Sequence, residues 1–180
     1  MVTDNKLQIL LQQNVQLFHT TDIAVLWNIT NKNTLYTTIK RYTKRNLLQT
    51  VQKGLYATRP TNALDQLVLG ASIIHSYSYV STETVLAHMG IINQSLPLIT
   101  FVGIRSKRFS VGDSNFRVRK LKPEFLYNNA GVNLKNGVFF ASTERAIADL
   151  LYFNQAYHFD NETLIDWDKV ANIQKEVGYI

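Results

Sequence analysis

The side chains in this sequence that could do chemistry are cations gathered on one short stretch. Residues 31–57 read NKNTLYTTIKRYTKRNLLQTVQKGLYA. With helical spacing, the apolar Leu35, Ile39 and Tyr42 share one face, which leaves polar and basic side chains on the other. A basic face without acidic residues accumulates polyanions, and nucleic acid is the usual one. The predicted DNA-contacting residues are Asn33, Thr37, Lys40, Arg41, Lys44, Arg45 and Lys53.

The elements around these cations predict how they are positioned. Two β-prone runs, 47–51 and 55–57, flank a short turn in which Gly54 can supply the positive φ of a hairpin. Two helices are expected before the basic one, the second with Thr20 or Thr21 as its N-cap. Helix, short helix, basic helix and hairpin, in that order, predict a winged helix-turn-helix whose third helix enters a major groove.

The net charge of +6 is confined to the N-terminal third of the chain. Residues 1–62 carry eight Lys or Arg against two Asp, whereas the remaining 118 residues carry eleven charges of each sign. A solvated helix face usually mixes both signs, so we favour a polyanion-binding surface over cations that merely solubilise a helix. Pro60 cannot donate to a sheet and indicates a linker. We predict a DNA-binding domain over 1–60 and a second domain over 61–180.

The second part of the chain alternates helical and β-prone patterns. The expected helices are one over 63–75 capped by Thr61 or Asn62, one from a Ser81 cap to His88, one from Ser142 or Thr143, and one from Asp166 or Asp168. The expected strands are 77–80, 98–102, 109–111, 116–121 and 137–141. The prediction is an α+β protein, with an N-terminal winged helix-turn-helix followed by a mixed α/β domain whose sheet is mainly antiparallel.

A second basic patch lies within this neutral domain, where only Asp113 opposes seven cations. Arg117 and Arg119 alternate with Phe116 and Val118, so one face of that strand is charged and the other is buried. Strands carry Lys and Arg outward routinely, so a solvated sheet face is as good an interpretation as a nucleic-acid or phosphate contact. The patch comprises Arg105, Lys107, Arg108, Arg117, Arg119, Lys120 and Lys122.

Catalytic and metal-binding patterns are missing from the sequence. Cysteine is absent, and none of the four histidines lies three or four residues from another, so we expect no metal and no cofactor. The sequence has no Gly-rich phosphate loop and no Gly-x-Ser-x-Gly elbow, so we expect no enzyme. Glu144, Arg145 and Asp149 could be mistaken for catalytic groups, but their spacing at the start of a helix favours local ion pairs. His88 is expected to be a packed residue.

Hydropathy indicates where the protein works. No apolar run approaches the ~18 residues that span a bilayer, and the N-terminal segment MVTDNKLQIL lacks the basic and apolar regions of a signal peptide. We therefore expect a cytoplasmic protein without a membrane partner.

Three segments resemble the AbiEi-type antitoxins, which are transcriptional regulators of bacterial abortive-infection (type IV) toxin-antitoxin systems. They are the hairpin end at 53–57 (KGLYA), the strand-to-helix segment at 79–91 (YVSTETVLAHMGI) and the late helix at 142–151 (STERAIADLL). Their order and spacing extend the resemblance over most of the chain.

The resemblance implies a phage-defence function. It implies a repressor whose winged helix binds inverted repeats in the operator of its own operon as double-stranded DNA. It also implies that the C-terminal domain counters a nucleotidyltransferase-like toxin, and direct contact with the toxin is not required. Two other interpretations stay open. The winged helix could dock a protein partner with an acidic surface, or the C-terminal domain could be a carboxylate-dependent nuclease.

Overall fold

The computed structural model describes residues 5–93 and 98–180. The chain forms two compact units, Met1–Ile73 and Ile74–Ile180, so residues 61–73 group with the first unit and not with the second. Helices and strands both contribute to the fold, which is α+β, as predicted. Within the described ranges, no helix is long and apolar enough to cross a membrane.

The first unit consists of helices that surround a small antiparallel sheet. In chain order its elements are α1 (Asn5–Leu11), β1 (Leu17–His19), α2 (Thr20–Leu26), α3 (Lys32–Lys44), β2 (Gln49–Gln52), β3 (Leu55–Ala57), a 3-10 turn (Thr61–Ala63) and α4 (Gln66–Ile74). The strands lie in the order β1-β3-β2. The sequence predicted the hairpin but missed β1, because three residues are too few to show a strand periodicity.

The buried face of α3 forms part of the core of this unit. Leu35, Ile39 and Tyr42 are buried, as predicted, and pack with residues of the other helices. The Trp27 ring lies 4.9 Å from the Tyr42 ring, and its indole N–H donates to the carbonyl of Lys6 at 2.8 Å. The apolar face of α3 is therefore packed against the core of this unit through both aliphatic and aromatic side chains.

The starts of two helices in this unit differ from the prediction. The Thr20 hydroxyl does not cap α2 but donates to the carbonyl of Gly54 at 3.3 Å, while the Asp22 carboxylate accepts the N–H of His19 at 2.7 Å. At α4, the Asp65 carboxylate accepts the N–H groups of Leu67 and Val68, which replaces the predicted caps at Thr61 or Asn62. At α2 a tertiary partner takes the predicted hydroxyl, whereas at α4 another local side chain is the cap.

The second unit is a six-stranded sheet covered by helices. Its elements are β4 (Ser78–Val80), α5 (Glu83–His88), β5 (Ile99–Gly103), β6 (Lys107–Val111), β7 (Ser114–Lys120), α6 (Pro123–Leu126), β8 (Val132–Lys135), β9 (Val138–Ala141), α7 (Thr143–Phe153), a 3-10 turn (Glu162–Leu164) and α8 (Trp167–Val177). The predicted cap of α7 at Ser142 and the predicted start of α8 at Asp166 are confirmed, because each side chain accepts a backbone N–H from the first turn.

The sheet of the second unit is mixed. Its order is β6-β7-β5-β4-β9-β8. The β7–β5 and β4–β9 pairs are parallel, and the other three pairs are antiparallel. The sequence missed β8, whose exposed edge position does not require an apolar alternation. The predicted alternation on β7 is confirmed, since Phe116 and Val118 are buried between Arg117 and Arg119.

A buried polar cluster joins α7 to the elements around it. Of the three charged residues for which local ion pairs were predicted, Arg145 and Asp149 form a pair at 2.9 Å, and both side chains are fully buried. The Arg145 guanidinium also donates to the Tyr79 hydroxyl at 2.8 Å and to the Phe125 carbonyl at 2.9 Å. The Asp149 carboxylate accepts the hydroxyls of Ser81 and Tyr179. The pair is therefore the centre of a network and not a local surface contact.

This network explains why the predicted cap at Ser81 is wrong. The Ser81 hydroxyl is turned inward to Asp149 at 2.7 Å, and the residue before α5 is Thr82, with a φ of +51° that a β-branched side chain rarely adopts. Gly131 is equally constrained, because its φ is +66° and a Cβ there would lie 2.8 Å from the Cβ of Arg145. At Thr82 and at Gly131, the backbone beside the buried cluster therefore has a positive φ.

Removing the buried counter-charge should be costly. Asp149→Ala leaves the Arg145 guanidinium buried without its anion, and we expect the free energy of unfolding to fall by about 3–5 kcal/mol. Urea denaturation followed by circular dichroism measures the loss. Asp113→Ala, at an exposed turn residue, is the matched control and should change stability by less than about 0.5 kcal/mol. Equal effects of the two variants would contradict the assignment.

Candidate nucleic-acid interface

The exposed face of α3 carries most of the predicted contact residues. Asn33, Thr37, Lys40, Arg41 and Lys44 are all exposed and lie opposite the buried face of the helix. The Asn31 side chain caps the helix by accepting the Thr34 N–H at 3.0 Å. No residue of α3 is acidic, so the face presents cations and hydrogen-bonding side chains only.

Two of these cations also have a structural effect. Arg41 and Lys44 lie in the last turn of α3, where positive side chains offset the negative end of the helix dipole by about 0.3–1 kcal/mol. Lys40 lies outside that last turn, so the dipole does not account for its presence. Stabilisation of the helix therefore explains part of the charge on α3, and the rest of the face is available to a ligand.

Arg45 lies at the boundary of this face. It is the residue after α3, its backbone N–H donates to the Arg41 carbonyl at 3.2 Å, and Asn46 then turns the chain with a φ of +56°. On a helical wheel Arg45 is about 120° from Asn33. The predicted contact residues therefore divide into five along α3, Arg45 at the turn that follows the helix, and Lys53 at the hairpin turn.

The hairpin is tied to the helix that precedes α3. Lys53 is exposed at the turn between β2 and β3, and Gly54 has the predicted positive φ, at +83°. The Gly54 carbonyl accepts both the backbone N–H of Thr20, at 2.9 Å, and its hydroxyl, at 3.3 Å. These two bonds hold the hairpin turn against the start of α2. The backbone next to Lys53 is therefore fixed in position.

Tyr36 was missed by the sequence reasoning, which considered only Tyr42 among the aromatic residues of this helix. Its side chain is 54% exposed and lies one helical turn from Asn33 and from Lys40. Its wheel position, about 60° from Asn33, could have shown that it borders the basic face. A tyrosine there offers a hydroxyl for phosphate and an apolar ring for a base edge.

The residues of the second basic patch differ in their surroundings. The pairing of β6 with β7 places Arg108 opposite Arg117, and alternation places Arg119 on that same face. The Lys107 ammonium lies over the Phe109 ring at 4.8 Å, and the Lys122 ammonium lies over the Phe125 ring at 5.7 Å. The remaining predicted members, Arg105 and Lys120, are exposed.

The interpretation of the patch as a solvated sheet face is wrong for its central residues. Arg117 and Arg119 both pair with one oxygen of Glu83, at 2.8 and 3.1 Å, and their side chains are only 22% and 21% exposed. Arg117 also donates to the Thr100 hydroxyl at 3.2 Å, and the Arg119 guanidinium lies 4.2 Å from the Phe153 ring centre. These arginines are held in place by α5, β5 and α7.

The shared carboxylate is stabilised in its charged form. Burial raises the pKa of Glu83, but the hydrogen bonds it accepts and the charges of Arg117 and Arg119 outweigh burial and hold that pKa below its ordinary value. Burial also lowers the pKa of Arg119, against the opposing effect of Glu83, but a guanidinium stays protonated at neutral pH. The three side chains therefore carry a net positive charge.

The histidines and carboxylates do not assemble into a metal site in the part of the chain that the structure describes. No group of three or more His, Cys, Asp or Glu side chains is placed to hold an ion there. His88 is exposed and not packed, contrary to the prediction, because it lies on the outward side of α5. Asp166 is used as the cap of α8.

Comparison of the sequence with protein-family models and with curated proteins finds no match.

Proposed function

We propose that the first unit is a winged helix that binds double-stranded DNA with α3 in the major groove. The observation that carries the proposal is the division of α3 into a buried apolar face and an exposed face free of acidic residues. The sheet adds support, since β1 lies between α1 and α2 and pairs with the hairpin that follows α3. That arrangement is typical of a winged helix-turn-helix.

The exposed residues of α3 then have two roles, contact with phosphates and contact with base edges. Lys40, Arg41 and Lys44 neutralise phosphates, which supplies affinity and orientation. Asn33 and Thr37 lie nearer the N-terminus of the helix, the end that contacts base edges in helix-turn-helix complexes. Lys53, at the hairpin turn, reaches the backbone or the adjacent minor groove.

We further propose that the protein is the antitoxin and autorepressor of a bacterial abortive-infection system, acting in the cytoplasm. The operator has inverted repeats, and the functional partner is a nucleotidyltransferase-like toxin that the protein need not touch. The resemblance supports this proposal, as does the packing of its two C-terminal segments. Tyr79 and Ser81 in one segment bond to Arg145 and Asp149 in the other, so the similar residues form one structural unit.

Binding should depend steeply on salt. If Lys40, Arg41, Lys44 and Lys53 neutralise about four phosphates, log K falls against log salt with a slope of about −3 to −4 per winged helix, at about −0.9 per contact. Fluorescence anisotropy with a duplex from upstream of the protein's own reading frame measures the slope. A scrambled duplex is the control for sequence preference. A flat salt response, or equal affinity for both duplexes, contradicts an operator-binding role and favours a protein-docking module.

Charge reversal on α3 should abolish binding and preserve the fold. Both side chains are exposed, so the double variant K40E/R41E should stay folded, as judged by circular dichroism, and lose affinity about a hundredfold or more. The matched control is K135E/K175E, which makes the same charge change at exposed positions of the second unit. If K40E/R41E unfolds, the assigned face of α3 is wrong. If it binds like the control, α3 is not the DNA contact.

Repression and toxin neutralisation should separate. K40E/R41E is expected to relieve repression of a promoter reporter, since operator affinity is lost. It should still protect growth when the toxin of the adjacent reading frame is expressed from an unrelated promoter, because the second unit is unchanged. Reporter activity and growth are measured in the same strains. Loss of protection by this folded variant would mean that neutralisation acts through DNA.

A further inference from the structure

We propose that a groove on the β6–β7 face of the second unit binds a phosphomonoester of nucleotide size. The groove has a volume of about 480 Å³, within the range of small-molecule sites, about 300–1,000 Å³. The residues that line it are Ser106, Lys107, Arg108, Arg117, Val118, Arg119, Lys120 and Phe153. The proposal is independent of DNA binding by α3.

Three guanidinium groups converge on this face. Arg108 and Arg117 are direct cross-strand partners, and Arg119 follows on the same side of β7. In antiparallel pairs, side chains at opposed positions are about 5 Å apart at Cβ. Planar guanidinium forks match phosphate oxygens better than lysine ammonium groups do, since they can donate two parallel hydrogen bonds. The sheet register therefore builds an anion site.

Two of the three arginines are preorganised. Glu83 and Thr100 hold Arg117, and Glu83 and the Phe153 ring hold Arg119. The contacts to Glu83 use Nη2 of Arg117 and Nη1 of Arg119. Each guanidinium has five N–H donors, so donors remain for a second anion. Side chains already fixed lose little conformational entropy when a ligand binds.

The polar network is incomplete among the described residues. Nε of Arg117 is a buried donor that has no hydrogen-bond partner there. Buried polar atoms without partners cost free energy in a purely structural ion pair. An N–H donor of this kind beside a cationic groove is consistent with a guanidinium arranged to bind an acceptor such as a phosphate oxygen.

The charge of the groove selects the ligand. The five cations that line the groove, Lys107, Arg108, Arg117, Arg119 and Lys120, against Glu83 leave a net charge of +4. This charge favours a phosphomonoester, which carries about −1.5 to −2 at neutral pH, over a singly charged group. A phosphodiester in a duplex carries only one negative charge for each phosphate. The ring of Phe153 supplies an apolar wall for the rest of the molecule. A free nucleotide and the terminal phosphate of a strand share this chemistry.

Calorimetric titration of the full chain with 5′-AMP tests the proposal, with adenosine as the ligand that lacks the phosphate. We expect AMP to bind and adenosine not to bind. Arg108→Ala should weaken AMP binding about tenfold to a hundredfold, the effect of one charge-assisted contact. Arg108 is exposed and outside the Glu83 network, so this variant should stay folded. Lys135→Ala, an exposed change on the opposite edge strand, should leave binding unchanged.

Three further arms complete the test. Broadening of the AMP phosphorus resonance on addition of protein should disappear in Arg108→Ala. A 5′-phosphorylated oligonucleotide, compared with AMP and with its unphosphorylated form, identifies the source of the phosphate by its affinity. K40E/R41E should retain AMP binding, which separates this site from α3.

The proposal is overturned by any of four results. They are absence of AMP binding at millimolar concentration, equal binding of AMP and adenosine, equal behaviour of the Arg108→Ala and Lys135→Ala variants, or loss of AMP binding in K40E/R41E.

Discussion

Several elements of the second unit depend on the buried charge pair of Arg145 and Asp149. Removal of Arg145 and Asp149 from water costs several kcal/mol per ion, and their attraction offsets this only because further hydrogen bonds satisfy both groups. Carbonyls of the segment after α6, a strand tyrosine and the end of the chain supply those bonds. Burial and the Asp149 charge raise the pKa of Tyr79 and Tyr179, so both hydroxyls stay protonated. The pair therefore fixes the position of several elements at once.

The two basic regions of the chain use charge differently. On α3 the cations extend into solvent from a helix whose opposite face is buried. Their charges can therefore attract a polyanion that approaches. On β7 the arginines are half-buried and already share a carboxylate. A surface of the first kind suits a long ligand with many weak contacts, and one of the second kind suits a small ligand with few strong contacts.

Periodicity predicted the faces of this fold better than the ends of its elements. The burial of Leu35, Ile39 and Tyr42, and the alternation around Arg117, follow from spacing alone. The caps at Thr20 and Ser81 were wrong because partners more than thirty residues away take those hydroxyls. The role of Glu83 was invisible for the same reason, since its arginine partners lie on a strand 34 and 36 residues later. Sequence reasoning at short range cannot anticipate such competition.

The buried cluster has a consequence for how such proteins diverge. The cluster draws its side chains from three separate segments, with Ser81 in the first, Arg145 and Asp149 in the second and Tyr179 in the third. A neutral residue at either charged position leaves the opposite charge unpaired in the core. Substitutions there are tolerated only in combination, whereas the exposed residues of α3 can change one at a time. In a lineage of related chains, the cluster should be inherited or lost as a block, while the exposed residues of α3 change independently of one another. Joint variation at these positions is thus a signature by which distant relatives can be traced when overall identity has faded.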